Sequence, residues 1–329
     1  KTCYLFSCTD RFDESFEILL DFVQKPYFTA ETVAKEQGII GQEIKMYDDS
    51  PDWRVTMNLL QAMYRNHPIN KDIAGTVETI AEITPEILYE CYNSYYNLNN
   101  MVLCIAGNVN LDEVMEIADR KLKPNEEVQT ESIFPEEPYE VKQSYVEQSL
   151  PVAMPMMALG FKESAGKDFA SAKDLLCTSI LLEAFAGEGS ALYRKLLDSR
   201  LINSTFGTEY MEGKGYRSVI FEGETADPTG LAAALKEAVI ELHKNGISAA
   251  DFENAKRCTY GRLARGLDSP ASIATGMINS AFTGKRMFES IDLISDITVE
   301  DVNERLKAQL DPDNCCLSVI KGIEGIAEA

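Results

Sequence analysis

Residues 80–86 read IAEITPE and residues 294–300 read ISDITVE, so the pattern I-x-x-I-T-x-E recurs at a separation of 214 positions (294 minus 80). In each stretch a Thr precedes an acidic residue by two positions, which is typical of a helix N-cap. Each predicted helix leads to an Asn and a short apolar run, at Asn100 and at Asn314. This ordered recurrence predicts a fold built from two copies of one unit.

The match continues upstream, where residues 49–51 and 268–270 both read DSP at a separation of 219 (268 minus 49). The five-position change in separation (219 minus 214) fits a shorter loop in the second copy, at residues 283–290. We therefore predict an α+β fold of two homologous domains that arise from internal duplication. Each domain is expected to be a mixed β-sheet covered by helices.

The chain changes composition between the two copies, where prolines interleave with glutamates. This segment predicts an acidic, Pro/Glu-rich linker over residues 126–148. Residues 1–125 would be the remainder of an N-terminal domain and residues 149–329 a C-terminal domain. About 70 residues of the second copy (220 minus 149) have no counterpart in the first, so we expect the first copy to be truncated at its start.

Apolar patterning predicts the local structure around the repeats. Residues 3–8 and 101–106 are short apolar runs that predict strands, the second one buried. Residues 14–23 have the spacing of an amphipathic helix. Thr29 is a candidate N-cap for a helix that runs to about Tyr47.

Composition excludes several function classes. The 329 residues carry 31 Lys and Arg against 53 Asp and Glu, a net charge of −22, which disfavours nucleic acid and anionic membranes as partners. No apolar run approaches the roughly 20 residues of a membrane span. The eight cysteines form no C-x-x-C motif, so we expect buried, reduced thiols and a cytoplasmic location.

The two copies differ at two positions that bear carboxylates in the first copy. At the separation of 219, Glu36 corresponds to Ala255 and Glu43 to Arg262. Seven positions on a helix place both glutamates on one face, two turns apart. Taken alone, this spacing is also that of an ordinary solvated face. Two glycines between them, at positions 38 and 41, predict close packing of backbone against this helix, because glycine otherwise costs helix stability.

The segment 35–49, KEQGIIGQEIKMYDD, resembles the second signature of the pitrilysin/insulinase zinc peptidases. These inverzincins include the mitochondrial processing peptidases, and the bacterial processing-peptidase-like members are the most similar. His67-Pro68 and Gly75-Thr76 fit the same family's H-P-x(n)-G-T stretch. The resemblance covers essentially the whole chain.

The resemblance implies a zinc site held by two His of an H-x-x-E-H helix and one distant Glu. Glu43 would be the third zinc ligand, and Glu36 the supporting acidic residue of the catalytic site. Such a site leaves one coordination position open for a water molecule. The substrates implied are short or unfolded polypeptides.

The chain departs from the family pattern because it contains no H-x-x-E-H motif. Its two histidines, His67 and His243, have no partner at i+4; we expect the first to be a structural loop residue and the second to be exposed. In the second copy the equivalent helix reads LLEAF at residues 181–185. The missing motif would lie before residue 1. We therefore expect zinc in the intact protein, none bound to this chain, and no activity of the chain by itself.

The family's substrate-binding Arg and Tyr, seven positions apart, correspond here to Leu197 and Ser204. Because some members of the family work as unlike pairs, their replacement suggests a homologous partner subunit or a homodimer. The alternative to a catalytically incomplete peptidase is a non-catalytic scaffold or the partner subunit of a peptidase-family heterodimer. A duplicated small-molecule-binding module has no support beyond the acidic charge.

Overall fold

The computed structural model describes residues 1–124, 126, 128 and 130–323. Among these residues, the α-helices before the acidic segment are α1 (Phe12–Gln24), α2 (Ala30–Asp48), α3 (Pro51–Met63), α4 (Val77–Ala81), α5 (Pro85–Tyr95) and α6 (Leu111–Lys121). Those after it are α7 (Ala172–Ala186), α8 (Ala191–Asp198), α9 (Pro228–Asn245), α10 (Ala249–Gly266), α11 (Pro270–Thr283), α12 (Glu289–Leu293) and α13 (Val299–Ala308). The strands are β1 (Tyr145–Leu150), β2 (Met156–Lys162), β3 (Gly207–Gly213), β4 (Tyr216–Glu224) and β5 (Cys315–Gly322).

The five strands form one mixed sheet in the order β1-β5-β2-β4-β3. β1 runs parallel to β5, and the three other pairings are antiparallel. β2 lies in the centre, with Ala158 opposite Glu222 on one side and Ser318 on the other. A mixed sheet with helices around it confirms the predicted α+β class.

The chain divides into two compact units that interleave along the sequence. The first unit consists of Lys1–Gln42, Thr76–Ser132 and Arg265–Met287. The second consists of Glu43–Gly75, Ile133–Ala264 and Phe288–Ala329. Helix α3 therefore belongs to the unit that contains the sheet, although the first copy encodes it. The domain bounds predicted from composition, 1–125, 126–148 and 149–329, stay a prediction.

One face of the sheet carries large side chains. Met157, Leu159 and Phe161 alternate along β2 into a cluster with residues of α7, α9 and α13, all of them buried. The stretch Ala172–Asp198, which covers α7 and α8, has the length and mean hydropathy of a membrane-spanning helix. The apolar runs in the sequence predict no such span. Within that stretch α7 packs into this cluster through Ile180 and Leu181, as the core helix of a globular unit does.

On the opposite face of the sheet the centre of β2 carries small side chains, and α3 packs against this face. Ala158 and Gly160 of β2 lie on this face, and Leu59 and Met63 of α3 are fully buried there. A methyl group on Gly160 would overlap Met63 Sδ and lie 3.0 Å from Leu59 Cδ2. The absence of a side chain at this position therefore allows the helix to approach the sheet closely.

A buried ion pair holds the segment that follows α3. The Glu137 carboxylate accepts hydrogen bonds from the backbone N–H groups of Arg65, Asn66 and His67, at 2.7–2.9 Å. Lys162 Nζ donates to Glu137 Oε1 at 2.7 Å and to the carbonyl oxygen of Met63 at 3.0 Å. Burial raises the pKa of Glu137, but these hydrogen bonds outweigh it and lower the pKa to about 2.

A second buried network joins α13 to the end of β2. Arg305 donates to both oxygens of Glu163, at 2.6 and 2.7 Å, and both residues are buried. Gln309 and Tyr210 donate to the same carboxylate. A bidentate pair with these extra donors fixes the position of α13 against the sheet.

The predicted helix starts are confirmed. Thr84 accepts a hydrogen bond from the Ile87 backbone N–H before α5, and Thr298 does the same for the Asp301 N–H before α13. Thr29 likewise accepts from the backbone N–H of Thr32 at the start of α2. The repeated Thr therefore has the same capping function in both copies.

The two strands predicted for the first copy are wrong. Residues 3–8 and 101–106 have no strand assignment, and among the described backbone hydrogen bonds none joins these two segments to each other. A strand is defined by its ladder of hydrogen bonds, and neither segment has a neighbouring strand to form one. Their apolar side chains still pack, because Phe6 and Ile105 contact the cluster formed by Phe16 and Leu20.

We expect Gly160→Ala to destabilise the protein by about 1–3 kcal/mol, because the added methyl group forces Met63 and Leu59 out of position. Chemical denaturation would measure the change in unfolding free energy. Gly207→Ala is the matched control in β3, since a methyl group there meets no atom within 4 Å. Equal effects of the two substitutions would contradict the proposed close approach of α3.

We expect Glu137→Gln to lower the free energy of unfolding by about 3 kcal/mol, because it leaves the buried Lys162 ammonium group without its charge partner. Denaturant titration would measure this loss. Glu147→Gln removes the exposed ion pair with Lys321 and is expected to cost less than about 1 kcal/mol.

The acid dependence of stability follows from the same carboxylate. The pKa of Glu137 is lower in the folded protein than its ordinary value of 4.5, so the folded state holds this proton less tightly than the unfolded state. Its stabilisation is complete above 4.5 and is lost as the pH falls from about 4.5 to about 2. We expect denaturant midpoints of the native chain to fall more steeply over this range than those of Glu137→Gln. Parallel curves would contradict the assignment.

Candidate functional site

The two candidate carboxylates lie on helix α2, as the sequence predicts. α2 is continuous from Ala30 to Asp48 and contains both Glu36 and Glu43. Both side chains are exposed. The boundary between the two compact units falls between Gln42 and Glu43, so Glu36 belongs to the first unit and Glu43 to the second.

Glu36 lines an apolar cavity of the first unit, about 310 Å³ in volume. The side chains of Tyr27, Val33, Ile40 and Leu88 form part of its wall. Apart from Glu36 and its neighbours Gln37 and Thr32, the lining is hydrophobic. The cavity thus places one carboxylate at the edge of an apolar surface.

Gln37 attaches the repeated motif to α2. Its Nε2 donates to the carbonyl oxygen of Ile80 at 3.1 Å and to that of Ile83 at 2.9 Å. The first two apolar residues of I-x-x-I-T-x-E are therefore held against the helix that carries Glu36. No pattern in the sequence predicts this contact, because one Gln in a polar helix is not distinctive.

The two glycines of α2 do not have the environment that their position predicts. A methyl group on Gly38 or on Gly41 would meet no atom within 4 Å. The expectation that backbone packs closely against this helix is therefore wrong for the described part of the chain. Both glycines lie on open surface next to the candidate carboxylates.

Neither histidine is placed to bind a metal ion together with Glu43. His67 is buried, its Nδ1 accepts a hydrogen bond from the Ile69 N–H at 3.1 Å, and its Nε2 donates to the Lys214 carbonyl oxygen at 3.0 Å. Burial lowers the pKa of His67, so the ring is held neutral. This confirms the structural function predicted for His67. His243 is exposed, as predicted, with its Nε2 3.2 Å from the Leu310 carbonyl oxygen.

The residues present do not form a zinc site by themselves. Across residues 1–124 and 130–323, no group of three or more His, Cys, Asp or Glu side chains is arranged to hold a metal ion. A structural or catalytic zinc site needs at least three protein ligands, and Glu43 supplies one. No chemical step through a metal is therefore derived from this chain alone.

The counterpart of Glu43 in the second copy forms an ion pair instead. Arg262 Nη1 of α10 lies 2.7 Å from Glu183 Oε2 of α7. Glu183 belongs to the stretch 181–185, which the resemblance predicts to be the counterpart of the missing metal-binding helix. Ala255, the counterpart of Glu36, is buried in the core. Where the first copy presents two free carboxylates, the second copy has a buried methyl group and a charge pair.

Two further positions, those that the resemblance assigns to a substrate-binding Arg and Tyr, hold Leu197 and Ser204. Leu197 is the penultimate residue of α8 and is 44% exposed, and Ser204 is exposed in the loop that follows. An aliphatic side chain and a short hydroxyl cannot reproduce the charge or the length of Arg and Tyr. Ser190 caps α8 by accepting a hydrogen bond from the Tyr193 N–H, so the turn at residues 187–190 is the start of this helix.

All eight cysteines are free thiols in the structure, and the predicted burial is wrong for Cys3, Cys8, Cys91 and Cys258, which are exposed. Only Cys177, Cys315 and Cys316 are buried, whereas Cys104 is half-buried although an apolar run contains it. Its partial exposure reflects the missing strand pairing of residues 101–106.

Two family profiles together match most of this chain. The profile described as insulinase (peptidase family M16) matches residues 1–77, and the M16 inactive domain matches residues 82–258. The chain belongs to the M16 peptidase family. The resemblance noted from segment 35–49 is thereby confirmed.

Relatives extend this similarity over the whole chain. The uncharacterized zinc protease YmfH of Bacillus subtilis is 35% identical over 95% of this chain and 74% of its own length. The uncharacterized zinc protease YmxG of the same species is 26% identical over 97% of this chain and 78% of its own length.

Solved structures show the same fold. An M16-like peptidase from Alicyclobacillus acidocaldarius superposes with a TM-score of 0.91 at 33% identity, covering 96% of this chain and 76% of that one. A protease from Helicobacter pylori gives a TM-score of 0.81 at 18% identity, covering 94% of this chain and 76% of its own, a likeness in fold alone.

We expect this chain by itself to retain no stoichiometric zinc after dialysis, because one exposed carboxylate is a poor ligand set for zinc. Elemental analysis of the dialysed protein would measure the zinc content, with Glu43→Gln as the comparison. One tightly held zinc per chain that disappears in Glu43→Gln would contradict this expectation.

Proposed function

We propose that this chain is a catalytically incomplete portion of a zinc-dependent endopeptidase that acts on short or unfolded polypeptides. The intact protein would contain zinc, with Glu43 as the third ligand and two His ligands from polypeptide outside residues 1–329. Glu36 would be the supporting acidic residue. This proposal also includes the truncation of the first copy.

The observation that carries the proposal is the free state of both glutamates on an intact helix. In the part of the chain that the structure describes, neither carboxylate takes part in an ion pair or a hydrogen bond to a side chain, so both can accept a new partner. A surface glutamate can be free without having a function. The difference between the copies favours a function, because the second copy replaces the same two positions with Ala255 and Arg262.

The relatives support the zinc chemistry at the level of the family. YmfH and YmxG are both called zinc proteases and align with nearly the whole of this chain. A neutral His pair with one carboxylate is a ligand set that leaves zinc one open position. Glu43 fits the carboxylate in that set, whereas this chain offers no candidate for the His pair.

A homologous partner subunit or a homodimer is a further part of the proposal. Leu197 and Ser204 replace the pair that grips the substrate backbone in other members of the family, so a second chain would supply that pair. An intact protein that is fully active as a monomer would contradict this part alone. The cytoplasmic location stays a proposal that rests on the free thiols.

The decisive experiment uses the protein expressed from its full open reading frame. We expect a longer product than this chain, with an H-x-x-E-H motif, one zinc per molecule and cleavage of a quenched peptide. A product without added sequence, or a longer one without zinc, would overturn the proposal and favour a non-catalytic scaffold or partner subunit.

Substitutions in that product test the two glutamates. We expect Glu43→Gln to weaken zinc binding and lower peptide cleavage by at least tenfold, since it removes a charged ligand. Glu36→Gln would lower cleavage by about 10–100-fold while zinc stays bound, as the loss of a group that supports a metal ligand does. Glu31→Gln is the matched control, an exposed glutamate on the first turn of α2. If Glu31→Gln lowered zinc binding and peptide cleavage as much as Glu43→Gln does, the loss would come from the charge of α2 and not from a zinc ligand.

A further inference from the structure

Gln37 binds α2 to the turn between α4 and α5. Its Nε2 donates hydrogen bonds to the carbonyl oxygens of Ile80, at 3.1 Å, and of Ile83, at 2.9 Å. The carbonyl oxygen of Ala81 lies 3.4 Å from the same nitrogen. Carbonyl groups at the C-terminal end of a helix have no partner in a following turn, so a side-chain donor can bind them. One carboxamide therefore ties the end of α4, and the residue before the Thr cap of α5, to the helix that carries Glu36.

The second copy makes the same contact with a different side chain. Lys256 of α10 corresponds to Gln37 at the separation of 219 (256 minus 37). Its Nζ donates to the carbonyl oxygens of Ser295, at 2.9 Å, and of Ile297, at 2.8 Å. At the separation of 214 these two residues correspond to positions 81 and 83 of the first copy, whose carbonyl oxygens Gln37 contacts. An amide and an ammonium group bind the same turn in the two copies, so the contact belongs to the repeat and does not depend on one side chain.

Packing contributes little to the position of the first half of α2. Among residues 30–42, all of them described in the structure, Val33 alone is buried. Gln37 is half-buried at its contact and directly follows Glu36. Neighbouring residues of a helix project about 100° apart around its axis, so binding the side chain at one position fixes the direction of the next. The hydrogen bonds of Gln37 therefore determine where the Glu36 carboxylate lies.

The same contact has a different consequence in the second copy. The residue that precedes Lys256 is Ala255, the buried counterpart of Glu36. There the contact orients a methyl group that packs in the core. In the first copy it orients an exposed carboxylate at the edge of the apolar cavity. A contact that serves packing in one copy therefore serves a candidate site residue in the other.

We propose that Gln37 is a positioning residue for Glu36. It acts through α2, by holding this helix to the turn before α5, and not by contact with zinc or with the peptide. That Glu36 takes part in catalysis rests on the function proposed above, whereas the contact itself does not. Loss of the two hydrogen bonds would let α2 rotate, and the misplaced carboxylate would lower the rate of cleavage without releasing zinc.

The contact is tested first in this chain. Gln37→Leu removes the donors at nearly the same side-chain volume, and Gln37→Lys installs the donor that the second copy uses. We expect backbone amides of residues 34–42 to exchange about tenfold faster in Gln37→Leu and at the native rate in Gln37→Lys, because opening of α2 costs less free energy without the contact. Lys256→Met is the matched control, which should speed exchange around residues 253–261 and leave residues 34–42 unchanged.

The positioning is tested in the product of the full open reading frame. We expect Gln37→Leu to lower kcat about tenfold, with KM and zinc content unchanged, as the loss of a group that orients a site residue does. Gln37→Lys should restore most of the activity. Gln37→Asn, whose amide is one methylene shorter, should behave like Gln37→Leu. Lys256→Met should keep the native kcat, since its neighbour Ala255 is not a site residue.

The outcomes separate the contact, the positioning and the catalytic function. Faster exchange and a lower kcat in Gln37→Leu, both reversed in Gln37→Lys, would support the proposal. Unchanged exchange in Gln37→Leu, or a loss of kcat that Gln37→Lys does not reverse, would overturn it. Faster exchange with a native kcat would also overturn it and leave the peptidase function standing. A product of native sequence that cleaves no peptide would overturn the function proposed above and with it the positioning, while the exchange data would still show the contact.

Discussion

The close approach of α3 to the sheet is the constraint on which the second unit depends. Sheet-covering helices normally need room for large side chains on both surfaces, but here Ala158 and Gly160 leave space that Leu59 and Met63 fill. Dense packing of this kind tolerates little change in volume. The Glu137 carboxylate holds the segment after α3 in place, because it accepts hydrogen bonds from three backbone amides and from Lys162.

This packing also determines where one candidate ligand lies. Glu43 belongs to the last part of α2, in the same unit as α3. The Tyr47 ring lies 5.0 Å from the ring of Trp53, and Arg54 forms an ion pair with Asp48 at 3.6 Å. These contacts fix the end of α2 against the start of α3. The packing of α3 on the sheet thereby helps to set the position of Glu43 at the end of α2.

The two copies share their helix caps but differ in the residues at the two candidate site positions. Both copies keep the capping Thr, Thr84 in the first and Thr298 in the second. They differ where Glu36 and Glu43 stand, since the second copy has the buried Ala255 and the ion pair of Arg262 with Glu183. A buried methyl group and a partnered charge add packing and electrostatic attraction within the unit, whereas free carboxylates add neither. The second copy is therefore the one whose residues at these positions serve structure alone.

The sequence by itself determined the helix starts at Thr29, Thr84 and Thr298, the repeat and the family signature on α2. These features depend on local spacing or on residues adjacent in the chain, so periodicity and capping chemistry suffice to predict them. Tertiary structure alone decided that residues 3–8 and 101–106 are not strands, that Gly38 and Gly41 face open space, and that Glu137 of the acidic segment is a buried anchor. Each of these depends on a partner far away in the chain: a neighbouring strand, a packed backbone, or three amides and a lysine. A single sequence records the residues that could form such contacts, and only the folded chain shows which partners they meet.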